Sequence, residues 1–479
     1  MTKRAIISLL AAFASFSICA QNEHIHIFRN DAERLSTVKA TDIRAITHTN
    51  GSSESGFQTM QITDYNSNNT TIDLNLIDSI QTRQVGLPEF HITLQDYPEW
   101  NELQGAKDDI HPATLRMNGN GWFEDIPEQT VEFRGRGNTT WGMNKKPYRF
   151  KMNKKASVCD LPKAKTFVLL ANYIDCTLMR NAIAFWIANY LEMPYSNHSV
   201  PVRVYLNGID KGAYLLTEKL GIGSGSVDID ENTGILFELD ANYDEDYKFK
   251  YTWTYEPYGD FTMPVMIKDP DLTEISIPGG LSIDEYFKKW QEDFGQMIEG
   301  VSDTPADGDL KPWLDLESVA NFYIVNSLCG NHELYWPKSF FMYKKSLDEN
   351  EVYHFGPVWD FDWAFTFNKT EGAPANTPLL SGGAGGAFAD EIFRNEEFRN
   401  LYKAKWDKFI EEGYPQLQAW MEEYAYLIEP QAIENGKIWP EDRTYSTMEF
   451  RKNFEDLKTW IEARIEYCNS HPNFGIVPY

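Results

Sequence analysis

The chain has 479 residues, 42% hydrophobic and 24% charged, a globular composition long enough for more than one domain. Lys and Arg number 44 against 71 Asp and Glu, a formal net charge of −27. So acidic a chain is a poor partner for the phosphate backbone of nucleic acid, and an aromatic content of 14% argues against intrinsic disorder.

At the N-terminus, Lys3 and Arg4 precede an apolar run, residues 5–18, that is too short to span a bilayer. Polar residues follow from Gln21. Residues 1–20 therefore read as a secretory signal cleaved after Ala20, and no other run approaches transmembrane length. Lipid attachment at Cys19 is the less favoured alternative, because Ile18 is larger than the residue that normally precedes a lipidated cysteine. Either way the protein is expected to be exported: periplasmic, cell-surface or extracellular. The remaining cysteines, Cys159, Cys176, Cys329 and Cys468, lack the paired spacing of a zinc ribbon. Cys329 lies in an apolar helical stretch and reads as a buried thiol.

Residues 21–85 alternate apolar and polar side chains between Gly, Ser and Asn clusters, the pattern of a small module of short strands. The module carries no recognisable site chemistry and suits a spacer, stalk or adhesion role. From residue 86 the texture changes. FHITL, QTVEFRG, PYRFKM and TFVLLANY read as strands, and residues 178–191 as a helix ended by Pro194. Two alternating strands flank Asn207-Gly208, a hairpin with a loop of two residues or more. GILFELD is a further strand. Residues 262–270 are a weaker candidate, confined to a sheet edge by Pro264. After residue 280 amphipathic helices dominate, interrupted by SFFMYKK and VYHFGPVWDFDWAF. Residues 382–386, rich in glycine, read as a flexible loop without a P-loop lysine. The expected class is α+β, with a small module over 21–85 and a larger domain over 86–479. That domain is β-rich to about residue 280 and helix-rich beyond.

Three clusters could carry chemistry. Residues 134–149, RGRGNTTWGMNKKPYR, hold five cations in an acidic chain. Gly135 and Gly137 would let the backbone approach a ligand, and Lys145, Lys146, Arg134 and Arg136 could reach phosphate oxygens. A solvated hairpin with a basic edge would look the same. Asp360 and Asp362 follow Gly356-Pro357 and, in an extended segment, point to one face. Such a pair needs a cation between its members and suits Mg²⁺ with phosphate oxygens, or else caps a turn. Gly330-Asn331-His332-Glu333 ends the helical run of residues 316–328. Glu333 could take a proton from a hydroxyl and Asn331 could ligate or orient. No HExxH or GxSxG is present. Paired carboxylates with many Trp residues would also suit a carbohydrate-binding or glycoside-cleaving protein.

Taken in order, these clusters resemble the spore coat protein H (CotH) kinase family. Its RGN and KK-x-Y-R stretch stands as Arg136-Gly137-Asn138-Thr139-Thr140 and Lys145-Lys146-Pro147-Tyr148-Arg149. LLANY-x-D-x-T-L-x-RN spans 169–181, YLNG-x-x-x-G-x-YLL-x-E spans 205–218, the GN-x-acidic stretch begins at Gly330, and GP-x-WD-x-D spans 356–362. The resemblance implies an atypical protein-kinase-like fold that uses ATP and Mg²⁺ or Mn²⁺ to phosphorylate Ser/Thr hydroxyls of protein substrates. It also leaves room for cell-surface or coat partners. By position, Lys146 would contact ATP phosphates and Asp360 would bind metal, with Asp362 beside it. Arg180 and Glu218 would position or ion-pair. Glu333 stands where many members have aspartate as the candidate base, one methylene or about 1.5 Å longer. A slow or inactive member retained for adhesion or assembly is the alternative that this departure raises.

Overall fold

The computed structural model describes residues 24–29, 35–39, 43–50, 57–64, 69–81, 86–366, 374–380, 382–440 and 446–476. The expected signal segment, its cleavage site and Cys19 lie outside the described residues. The chain divides into two compact units. One comprises the described residues up to Pro88 with Asn118–Asp125, the other Glu89–Met117 and the chain from Ile126 onward.

The first unit holds strands β1 (His24–Arg29), β2 (Leu35–Lys39), β3 (Ile43–Asn50), β4 (Phe57–Asp64), β5 (Asn69–Asp73) and β6 (Ile77–Gln81). They form two three-stranded antiparallel sheets, ordered β2-β1-β6 and β3-β4-β5. Alternation turns one side of each strand inward, so Ile27, Met60, Ile62, Ile72 and Ile77 meet in a shared core.

In the second unit, β7 (Glu89–Leu94), β8 (His111–Asn118), β9 (Ile126–Gly135), β10 (Tyr148–Ala156) and β11 (Ala164–Leu170) precede helix α1 (Arg180–Tyr190). The hairpin β12 (Ser199–Leu206) and β13 (Ile209–Glu218) follows. The seven strands close into a barrel ordered β10-β11-β13-β12-β7-β8-β9. Closure depends on β7 pairing in parallel with β12, Arg203 opposite Glu89 and Leu206 opposite Ile92. The hairpin loop is two residues, Asn207 at φ 49° and Gly208 at φ 80°, the geometry a tight right-twisted hairpin requires.

A second sheet is built from β14 (Ile235–Leu239), β15 (Lys248–Tyr255) and β16 (Gly259–Asp269). After helices α2 (Ile283–Asp303) and α3 (Leu316–Cys329) it is completed by β17 (Phe340–Lys344) and β18 (His354–Phe355). Its order is β15-β16-β14-β17-β18, so β16 is interior rather than an edge. Pro264 is tolerated because pairing with β14 begins only at Met266, which leaves Pro264 with β15 as its strand neighbour. Ser282 and Glu285 cap α2 reciprocally, and its Tyr286, Trp290, Phe294, Met297 and Val301 are buried.

Helices α4 (Gly383–Phe393), α5 (Glu396–Lys408), α6 (Tyr414–Ile438) and α7 (Phe450–Ser470) complete the unit. The glycine-rich run of residues 382–386, expected as a loop, instead forms the first turn of α4. Its glycines serve close packing. A Cβ on Gly385 would lie 1.9 Å from the Leu334 carbonyl oxygen, and one on Gly383 2.3 Å from that of Tyr335. All four described cysteines are buried thiols. The architecture is α+β, and among the described residues no helix is long and apolar enough to cross a membrane.

Candidate functional site

A cavity of about 460 Å³ opens where one end of the barrel meets the five-stranded sheet. The barrel side contributes Arg134 and Arg149 from β9 and β10, Arg136 just past β9, and Lys219 just past β13. The sheet side contributes Glu238, Asp240 and Lys268 from around β14 and β16. Asp360 and Asp362 face these groups from the loop after β18.

That loop is not extended. Asp360 sits at φ 63°, a left-handed conformation that strains a non-glycine residue and calls for support from its surroundings. The one-face argument from strand alternation therefore does not apply, although both carboxylates still line the cavity. The support comes from the start of α1. Asn181 Oδ1 accepts from the Phe361 backbone N–H at 2.9 Å, and its Nδ2 donates to Asp362 Oδ1 at 2.5 Å. Arg180 Nη1 donates to the Asp362 carbonyl at 2.6 Å. Arg180 is itself held by Asp175, whose Oδ2 accepts from the Arg180 N–H at 2.8 Å. Burial pushes the Asp362 carboxyl up, and the neighbouring Asp360 charge pushes it further.

The cations differ in how they are held. Arg134 is tied to Asp108 at 2.6 Å. Lys268 bridges Glu238 at 2.8 Å and Glu245 at 2.6 Å. The Arg136 guanidinium lies 5.5 Å from the centre of the Trp359 ring. Burial lowers the pKa of Arg136, against the pull of Asp360, Asp362 and Glu238. Among the described residues, Arg136, Arg149 and Lys219 make no side-chain hydrogen bond or ion pair. The cavity thus presents three cations free to bind an anion.

The other sequence-predicted residues fall elsewhere. Lys145 is buried, donating to the Ala213 carbonyl and to Asn435 Oδ1 over the Tyr214 ring. Burial pushes its pKa down to about 7. Lys146 Nζ donates to the Trp141 carbonyl at 2.7 Å and lies 4.5 Å from the centre of that ring. Neither lysine lines the cavity. Gly135 makes room for Trp141, whose ring a Cβ would meet at 2.3 Å, rather than for a ligand. Glu218 is buried away from the cavity, where it accepts from the His198 N–H at 3.0 Å and lies 2.8 Å from His198 Nδ1. Asn331 is buried and donates to Asn326 Oδ1. Glu333, in the 3₁₀ turn His332–Tyr335, accepts from Lys338 Nζ at 3.0 Å. Burial and then the Asp360 charge raise its pKa, while Lys338 opposes them. Lys338 lines the cavity and Glu333 does not.

Sequence reasoning passed over Asn181, Lys219, Glu238, Asp240, Lys268 and Lys338. Two signals were present. Glu238 and Asp240 end a strand at the same period-two spacing as Asp360 and Asp362, and Asn181 adjoins Arg180.

The fold and site together define an α+β protein whose cavity sets unpaired cations opposite paired carboxylates. The family described as CotH kinase protein matches residues 131–468, and the chain belongs to it. No curated protein matches the chain.

Proposed function

We propose that this chain is an exported atypical protein kinase, of kinase-like fold, that transfers the terminal phosphoryl group of ATP to Ser/Thr hydroxyls of proteins. Family membership supports kinase-like activity with ATP and a divalent ion. The observation that carries the reading is the set of unpaired cations, Arg136, Arg149 and Lys219, in one cavity with Asp360 and Asp362. A neutral sugar would not call for them; a polyphosphate does.

The residues present fit Mg²⁺ or Mn²⁺. The Asp360 charge acts on Asp362 beside it on the cavity wall, which a cation would relieve. Among the described residues no group of three or more His, Cys, Asp or Glu side chains could hold a metal unaided. Two carboxylates completed by phosphate oxygens match the usual Mg²⁺ arrangement. When bound, the ion neutralises charge on the phosphates. Asp360 and Asp362 would hold it, with Asn181 fixing the Asp362 carboxylate and Arg180 the Asp362 backbone carbonyl. Arg136, Arg149 and Lys219 would hold phosphate oxygens, in the role that family position gave to Lys146. Glu333 would accept the hydroxyl proton as the substrate oxygen bonds to phosphorus and the bond to the ADP oxygen breaks.

Calorimetric titration with ATP and Mg²⁺ or Mn²⁺, beside Asp360→Ala, tests this. Metal-dependent binding lost in the variant is expected. No binding by the unaltered chain with either metal would sink the reading and favour adhesion or assembly.

A further inference from the structure

Lys338 stands between the candidate base and the cavity. Its ammonium donates to Glu333 Oε1 at 3.0 Å, with the lysine side chain 25% exposed and the glutamate 13%. Among the described residues this is its one side-chain hydrogen bond, so two of its three N–H donors are open. Asp360 and Asp240 also draw on its charge. The backbone beneath it is fixed, since the Ser339 N–H donates to Asp240 Oδ2 at 3.1 Å and Phe340 and Phe341 are buried in β17. A flexible four-carbon stem on a fixed base, with a cavity on one side and a carboxylate on the other, has two places to put its charge.

Glu333 offers one negative charge. The terminal phosphate of ATP offers more, on three acceptor oxygens. We propose that Lys338 is a two-position arm, holding Glu333 when no nucleotide is bound and moving onto the terminal phosphate of ATP. The Glu333 carboxylate is then freed for the substrate hydroxyl only when a phosphate is present to transfer. This rests on the phosphotransferase reading. It adds that Lys338 senses the terminal phosphate and that Glu333 competes for it.

The experiment is calorimetric titration of the full chain with ATP and with ADP, each with Mg²⁺. Lys338→Met should weaken ATP binding about tenfold and change ADP binding less than about twofold. Glu333→Gln, which keeps an acceptor but removes its charge, should tighten ATP binding about threefold and leave ADP unchanged. Opposite signs at two touching residues are not what loss of a structural contact gives. Equal losses for ATP and ADP, or no tightening in Glu333→Gln, would overturn the two-position arm while leaving the phosphotransferase reading intact. Absence of nucleotide binding by the unaltered chain would overturn both. Should Lys338→Met fail to fold, Glu333→Gln alone decides.

Discussion

Two acidic pairs in the larger unit, Asp360 with Asp362 and Asp390 with Glu391, share an electrostatic signature and differ in use. Asp362, Asp390 and Glu391 are all buried, and burial raises the pKa of each. At the second pair, protein donors take up the charge. Tyr255 donates to Asp390, Ser302 donates to Glu391 at 2.6 Å, and Trp253 Nε1 reaches both Glu391 oxygens at 3.2 Å. At the first, Asn181 donates to one oxygen of Asp362, and both carboxylates face a cavity that Arg136, Arg149 and Lys219 also line. A raised carboxyl pKa therefore does not mark the site. What marks it is a carboxylate aimed at a space that the protein leaves unfilled.

The sharpest way to break this comparison is to neutralise one member of each pair. Asp360→Asn should lower phosphate incorporation into protein on the order of 10²- to 10³-fold with thermal unfolding unchanged. Asp390→Asn should leave incorporation within about twofold. Equal effects would erase the distinction.

Next in size is a pH effect on stability. Burial, against the Ser302 and Trp253 hydrogen bonds, raises Glu391 from 4.5 to about 7. The folded chain then binds more protons than the unfolded one between those values. The stabilisation is fully present below about pH 4.5 and lost as pH rises through about 7. Glu391→Gln, which mimics the neutral acid, should exceed the parent by about 3 kcal/mol in urea unfolding at pH 8 and converge with it toward pH 4.5.

Smaller effects separate the cations. Arg136→Met should weaken ATP about tenfold by calorimetry, and Arg134→Met less, because Asp108 already engages Arg134. Lys146→Met should change ATP affinity by less than about twofold, since its ammonium is spent on Trp141. A large loss there would return Lys146 to the phosphate.

Much of the fold was legible because local rules governed it. The strands around the basic cluster, the Asn207-Gly208 turn and the helices over Ile283–Asp303 and Leu316–Cys329 follow from alternation, turn chemistry and helical spacing. The parallel pairing that closes the barrel was not legible, since it joins strands separated by an entire helix and several other strands. Residues 382–386 misled because glycine reports permissiveness. Whether that freedom serves a loop or a tightly packed helix depends on Leu334 and Tyr335, which sequence does not place beside them. The carboxylate half of the site was legible because Asp360 and Asp362 are neighbours in sequence. The cationic half was partly so. Arg134, Arg136 and Arg149 share a hairpin, but Lys219 and Lys268 arrive from separate strands, and Lys145, next to Lys146, is drawn into the interior. Adjacency along a hairpin says little about which lysine faces which space.

The hydrogen bond from Lys145 to Asn435 spans 290 positions of chain. During synthesis the barrel strands emerge long before the residue that accepts this ammonium. Until α6 docks, Lys145 lacks its Asn435 acceptor, and solvation of its charge opposes enclosing it. A ribosome-bound chain ending before Asn435 should therefore be cut more readily by protease around Lys145 than the released chain. The β-rich and helix-rich stretches, so distinct in composition, would then share one buried contact that only the finished chain completes.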